Sequence, residues 1–167
     1  MRSRLLVVAA LVAAVALAAG IGPASASVAA KPNACKALKA SEVARVTGFP
    51  AKKLVEQQQG PPGAGICGYA LEDASSPVRN VSVLVQRGDS QESKIGYRTA
   101  KGVFKDQIEP VSGLGRNAFY AGGGINTAYV LKGDTLLTVQ YVALGETDQA
   151  GIKDDVVAMT KIALPRV

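Results

Sequence analysis

Gly65-Ile66-Cys67-Gly68-Tyr69-Ala70-Leu71 is a short run whose alternation puts Cys67, Tyr69 and Leu71 on one face of a strand. Its thiol has one possible partner in the chain, Cys35. A bond between them pins a first helical segment to a central strand, and it closes a loop of about 33 residues for roughly 3–4 kcal/mol of loop-closure entropy. A redox-active pair would need a Cys-x-x-Cys spacing or a thiol of lowered pKa. Neither is visible here.

Just after Cys35, Leu38, Val43 and Val46 lie among polar residues and Gly48 supplies a left-handed stop, which predicts a first helix over Leu38–Val46. Asn33 is positioned to cap the turn containing Cys35, and Phe49-Pro50 then redirects the chain. A strand is expected over Lys53–Gln58, before a loop at Gly60-Pro61-Pro62-Gly63-Ala64-Gly65 where prolines beside glycines interrupt any ladder.

Downstream, Glu72–Pro77 reads as a turn, and Asn80–Arg87 alternates, with Val81, Val83 and Val85 opposite Ser82, Leu84 and Gln86. Asp89 with Glu92 has the offsets of a capping box, predicting a second helix to about Lys101, with a stripe of Ile95, Tyr97 and the Arg98 stem. Gln107–Val111 carries Pro110 and suits an edge strand, and Asn117–Tyr120 begins another. Thr127–Lys132 and Thr135–Ala143 flank Gly133-Asp134, a two-residue hairpin turn. With Lys132 opposite Thr135, one face carries Ala128, Val130, Leu137, Val139 and Tyr141. Thr147 or Asp148 caps a last helix whose Ile152, Val156, Met159 and Ala163 recur at helical spacing. Hairpins and alternating strands predict an α+β fold: an antiparallel sheet backed by helices, in the rough order α-β-β-α-β-β-β-α, with one disulfide.

The chain opens with Met1-Arg2-Ser3-Arg4, an apolar run from Leu5 to Ile21, and Ala24-Ser25-Ala26, the three regions of a secretory signal peptide. Cleavage is expected after Ala26, with Ala30 the alternative site. The apolar run sits near the lower limit for a membrane anchor, and Gly20, Gly22 and Pro23 favour the cleaved leader. Residues 27–34 then form a flexible lead and 35–167 a single domain. No Cys stands near the cleavage site to take a lipid. A secreted or cell-envelope location follows, where two cysteines read as a disulfide.

The 19 Lys and Arg against 13 Asp and Glu give +6, or +4 without Arg2 and Arg4. The surplus is scattered, with Lys36/Lys39 and Lys52/Lys53 its compact clusters, and aromatic residues do not interleave with it, so no nucleic-acid partner is expected. Membrane or wall association is expected to be peripheral at most.

The pattern Cys35-x-x-Leu38, Ser41-Glu42-Val43 running to Gly48, Cys67-Gly68-Tyr69, and Gly113-Leu114-Gly115 leading to Phe119-Tyr120 resembles a domain-of-unknown-function family of small exported actinobacterial proteins, many of them lipoproteins. The likeness spans nearly all of residues 27–167. Lys39 stands where that family commonly has a capping Thr, Arg116-Asn117 where it has acidic residues, and the lipobox Cys is missing. The resemblance implies an αβα layer fold akin to that of the photosystem extrinsic proteins. It implies no activity.

Histidine is absent, which removes Ser-His and Cys-His nucleophile pairs and His-based metal sites. Carboxylates cluster at Glu72/Asp73 and Asp154/Asp155, but neighbours along a chain rarely face each other across a substrate as acid–base work requires. Gly63-Ala64-Gly65-Ile66-Cys67-Gly68 has the dinucleotide glycine spacing, yet it opens a strand rather than a helix, and Asn80-Val81-Ser82 is a glycosylation sequon inside a strand. No cofactor or metal is implied. The remaining candidate is a surface: Leu84, Tyr129, Leu131 and Leu136 share the sheet face opposite the valines. Left open, it is a binding face for a protein partner or small apolar ligand; roofed by a helix, it is core. The leading expectation is therefore a non-catalytic exported binding domain. An envelope enzyme using carboxylate or Ser-Lys chemistry is the alternative, and an extracellular inhibitor inserting the Gly60–Gly65 loop is a third reading.

Overall fold

A computed structural model describes residues 32–54, 63–72, 79–88, 90–124, 126–145 and 148–167. The elements run α1 (Ala34–Ala37), α2 (Ala40–Thr47), β1 (Ala51–Lys53), β2 (Ala64–Leu71), β3 (Arg79–Arg87), α3 (Ser90–Val103), β4 (Ile108–Glu109), β5 (Ala118–Ala121), β6 (Thr127–Lys132), β7 (Thr135–Ala143) and α4 (Gln149–Ala163). The strands form one antiparallel sheet in the order β1-β2-β3-β7-β6-β5-β4. The fold is α+β, as the hairpin and alternation signals require.

Register aligns the inner face in rows across the sheet. Cys67 pairs with Val83, Val83 with Val139, Val139 with Ala128, and Ala128 with Tyr120. The next row runs Gly65, Val85, Leu137, Val130, Ala118. Together with Val43 of α2 and Val156 and Met159 of α4, these valines and leucines form the core. Each such side chain contributes about 1.5–3 kcal/mol when removed from water. The last helix buries Ile152, Val156, Met159 and Ala163, the stripe its spacing predicts, and Asp148 caps it by accepting from the Gly151 N–H.

Cys35 and Cys67 are bonded, with their Cα atoms 5.1 Å apart, so α1 is stapled to β2. Two further features seat this segment. The Tyr69 hydroxyl donates to the Leu38 carbonyl between α1 and α2. Gly65 leaves room for the Pro32 carbonyl, which any Cβ at that position would strike. The packing corrects one expectation: Ala34, placed at the end of a flexible lead, is helical and fully buried, and Asn33 caps its turn by accepting from the Lys36 N–H.

Other boundaries also shift. The helix expected over Leu38–Val46 begins at Ala40, and Leu38 is extended between it and the short helix Ala34–Ala37 that carries Cys35. At Lys39, the missing capping side chain is offset by Glu42, whose carboxylate accepts from the Lys39 N–H. The first edge strand is Ala51–Lys53, immediately after Pro50, while 55–58 of the expected strand lie outside the described residues. Ala64 and Gly65, assigned to a loop, are paired with Gln86 and Val85; residues 60–62 of that loop are outside the described residues.

The largest correction concerns α3. It runs on to Val103, and Ile95 and Arg98 of the expected stripe are exposed; Tyr97 does face the sheet, joined there by Ser93, Gly96 and Ala100. Ser93 is completely buried and its hydroxyl donates to the Asp134 carbonyl at 2.9 Å, with the Gln86 carbonyl at 3.3 Å as second acceptor. This helix lies on the outer sheet face, whereas α1, α2 and α4 pack on the inner one. The result is three layers.

Candidate functional site

The four residues expected to share an open face are Leu84, Tyr129, Leu131 and Leu136. They do project from the outer face, but α3 closes part of it. Gly96 sits over Leu136, where an added Cβ would come within 3.1 Å of Leu136 Cδ1's partner methyl, Cδ2, and Leu136 is buried. Tyr129 stacks on Phe119 at 4.8 Å between ring centroids and on Phe104 at 6.0 Å. Leu84 is half-buried in β3. A continuous four-residue patch is therefore absent, because a helix with small residues on its inner side can approach closely enough to roof the aromatic cluster.

Leu131 belongs to a different feature. Before β5 begins, the chain turns through Gly113 and Gly115, both with left-handed φ (+80° and +92°), and carries the buried Leu114 inward. The last rung between this segment and β6 is the Leu131 N–H donating to the Asn117 carbonyl at 2.9 Å. Beyond it the segment diverges from β6, and the end of α4 comes alongside, tied by Lys132 Nζ to the main-chain oxygens of Leu164 and Val167. Between them opens a groove of about 430 Å³ lined by Leu114, Val130, Leu131, Leu164 and Pro165, with Arg116 and Lys132 at its rim. Lys132 is engaged; the exposed Arg116 guanidinium has no hydrogen-bond or ion-pair partner among the described residues. Sequence reading flagged the Gly-Leu-Gly segment and Leu131 separately, but nothing in the pattern says that they meet.

At the opposite end of β5 and β6 lies a polar cleft of about 600 Å³, lined by Glu109, Tyr120, the Gly122–Gly124 turn, Asn126, Gln149, Ala150 and Lys153. Lys153 is ion-paired to Glu109, and its Nζ sits 5.6 Å from the Tyr120 ring centroid. The Tyr120 hydroxyl donates to Asn126 Oδ1 at 2.7 Å. Burial, with the Glu109 charge adding to it, pushes the Tyr120 phenol up to about 12. It is a neutral donor here, not a base.

A third, smaller pocket of about 220 Å³ collects Phe49, Arg79, Tyr141, Asp148 and Asp155. The Arg79 guanidinium lies 4.2 Å from the Phe49 ring centroid, and its NH1 donates to the Tyr141 hydroxyl at 3.5 Å. Burial, then the neighbouring charges of Asp154 and Asp148, pushes the Asp155 carboxyl up to about 6. Of the carboxylate pairs considered in the sequence, Asp154 is exposed and Asp155 half-buried, so they do not face one another across a cleft. Glu72 is exposed, and Asp73 lies outside the described residues. What sequence reading missed is Asp148 with Asp155, two turns apart on the first part of α4.

No known protein family, curated protein or solved structure matches the chain. The disulfide is itself informative about compartment, since such bonds persist where the surroundings are oxidising. No helix among the described residues is long and apolar enough to cross a membrane.

Proposed function

We propose that this is an exported, non-catalytic cell-envelope or secreted domain that binds a small apolar ligand bearing an anionic end. The observation that carries the reading is the groove between Leu114, Leu131 and Leu164, whose apolar lining meets an unpartnered guanidinium at the rim. Its volume falls in the range, about 300–1,000 Å³, of sites that hold small molecules, and a few placed polar groups in an apolar lining are how such sites orient their occupants. The leader-like N-terminus and the disulfide support export. The likeness to exported actinobacterial domains of unknown function agrees with it and adds no activity.

Titration with a dansyl-labelled medium-chain fatty acid tests the reading. Leu131→Glu should abolish the fluorescence enhancement while the far-UV spectrum and melting curve stay cooperative. Arg116→Gln should weaken the acid about fivefold or more, as expected for losing a charge-assisted bond, and leave the corresponding methyl ester unaffected. A folded Leu131→Glu variant that binds like the native protein removes the groove from consideration.

A second reading, an envelope enzyme, is favoured by one observation: Asp155, with its raised pKa, shares a pocket with Asp148 and Arg79. A carboxyl that titrates near neutrality is suited to proton transfer. Hydrolase screening of the native protein against Asp155→Asn decides it, and activity unaffected by that substitution counts against this site.

A further inference from the structure

We propose that the outward side of α3 is a peripheral docking surface for anionic lipid bilayers, separate from the groove. The helix turns Ser93, Gly96, Tyr97 and Ala100 to the sheet, which fixes what faces solvent. Lys94, Arg98 and Lys101 follow at i, i+4 and i+7, a spacing that stacks side chains along one flank of a helix. Lys105, in the 3-10 turn that follows, adds a fourth cation. All four are exposed, and none has a hydrogen-bond or ion-pair partner among the described residues. The nearby acids are Asp89 just before the helix in sequence, Glu92 in its first turn, Asp106 beyond it and Asp134 on the hairpin turn against Ser93, all at the ends of the helix, whereas Lys94, Arg98 and Lys101 run along its length.

Charge alone would serve an acidic polymer equally well. What selects a bilayer is the apolar pair on the same helix: Ile95 is 56% exposed and Val103 69%, two of the four large hydrophobic side chains left in solvent among the described residues. Interfacial helices bind by combining attraction to anionic headgroups with apolar side chains inserted at the acyl boundary. A soluble polyanion gives Ile95 and Val103 nothing to enter. Each Lys or Arg at an anionic surface strengthens binding about fivefold, and salt weakens the effect.

The test is co-sedimentation of the native protein with vesicles of phosphatidylglycerol and phosphatidylcholine in equal parts, and with phosphatidylcholine alone. The expected result is binding to the mixed vesicles only, falling steeply between low and high salt. The quadruple variant Lys94→Gln, Arg98→Gln, Lys101→Gln, Lys105→Gln should lose roughly a hundredfold or more. A control removing the same charge elsewhere (Lys36→Gln, Arg45→Gln, Lys52→Gln, Lys161→Gln) should lose far less. Ile95→Ser should weaken vesicle binding several-fold and leave retention on a soluble polyphosphate unchanged. The proposal is overturned if the mixed vesicles are not bound, if the two quadruple variants lose equally, or if Ile95→Ser has no effect on vesicles, the last outcome marking the helix as a polyanion surface.

Discussion

Replacing both cysteines, Cys35→Ala with Cys67→Ala, removes the staple between α1 and β2 and is the sharpest test of how the N-terminal segment is held. The bonded residues are 32 apart in sequence, and a closed loop of that size withholds about 4 kcal/mol of chain entropy from the unfolded state. Cys67 is fully buried, so losing its sulfur opens a small void worth about 1 kcal/mol more. The expected sum, about 4–5 kcal/mol, is a large part of a typical domain's 5–15 kcal/mol, and it should lower the melting temperature by about 10–20 °C. Urea unfolding of the oxidised protein, the reduced protein and the variant separates the two contributions, because reduction cuts the crosslink without deleting atoms. The reduced form should lie slightly above the variant and well below the oxidised form. If the variant instead unfolds within about 1 kcal/mol of the oxidised protein, the crosslink is not what seats residues 32–38, and Tyr69 and the Gly65 contact must do so.

Tyr69→Phe leaves the buried Leu38 carbonyl without its donor and should cost about 1–3 kcal/mol, measured by urea unfolding with the disulfide intact; no change would mean that the carbonyl finds another partner. Gly65→Ala should destabilise by more than 2 kcal/mol and raise amide exchange across 32–38, since the new methyl strikes the Pro32 carbonyl. Glu42 makes a two-pronged pair with Arg166 at 2.7 Å for each bond, and chiefly that hydrogen bonding lowers its pKa from 4.5 to about 2. Its contribution is thus complete above pH 4.5 and lost as pH falls toward 2, and Glu42→Gln should remove about 1 kcal/mol, discounted for solvent screening, at pH 7 but little at pH 2. Asp155 has the opposite sign: raised from 3.8 to about 6, it favours the fold below pH 3.8 and loses that advantage as pH rises through 6. Asp155→Asn should therefore stabilise at pH 7.5, by about 1 kcal/mol after screening, and a destabilised variant would show that Arg79 depends on the carboxylate.

Legibility in the sequence followed the size of the side chains involved. The hairpin at Gly133-Asp134, the valine face of β3 and the α4 stripe could be read because large apolar residues recur at period 2 or 3.6, and the structure keeps every one of those buried. The inner side of α3 could not, because Ser93, Gly96 and Ala100 carry no hydrophobic signal. That helix gains its seat from close approach and from a serine hydroxyl bonded to the turn of another hairpin. The same blind spot explains the candidate face: Leu136 is covered at Gly96 and Tyr129 by Phe104 and Phe119, none of which belongs to the apolar stripe that the spacing of this helix suggests. Strand order was also out of reach, since nothing local says that β7 slots between β3 and β6. The groove and the Asp148/Asp155 pocket assemble from loops and helix ends far apart in the chain, and only their separate pieces were visible.

The position of β7 constrains the order in which the sheet can be completed. The first three strands and the next three form two strips that share no ladder with each other, and the seam joining them, from Arg79 opposite Ala143 to Arg87 opposite Thr135, is supplied by residues near the C-terminus. A chain threading N-terminus first through a narrow conduit cannot assemble its sheet until that late segment emerges. Whatever the route of the chain, the two strips stay unjoined until residues 135–143 are available to pair with β3.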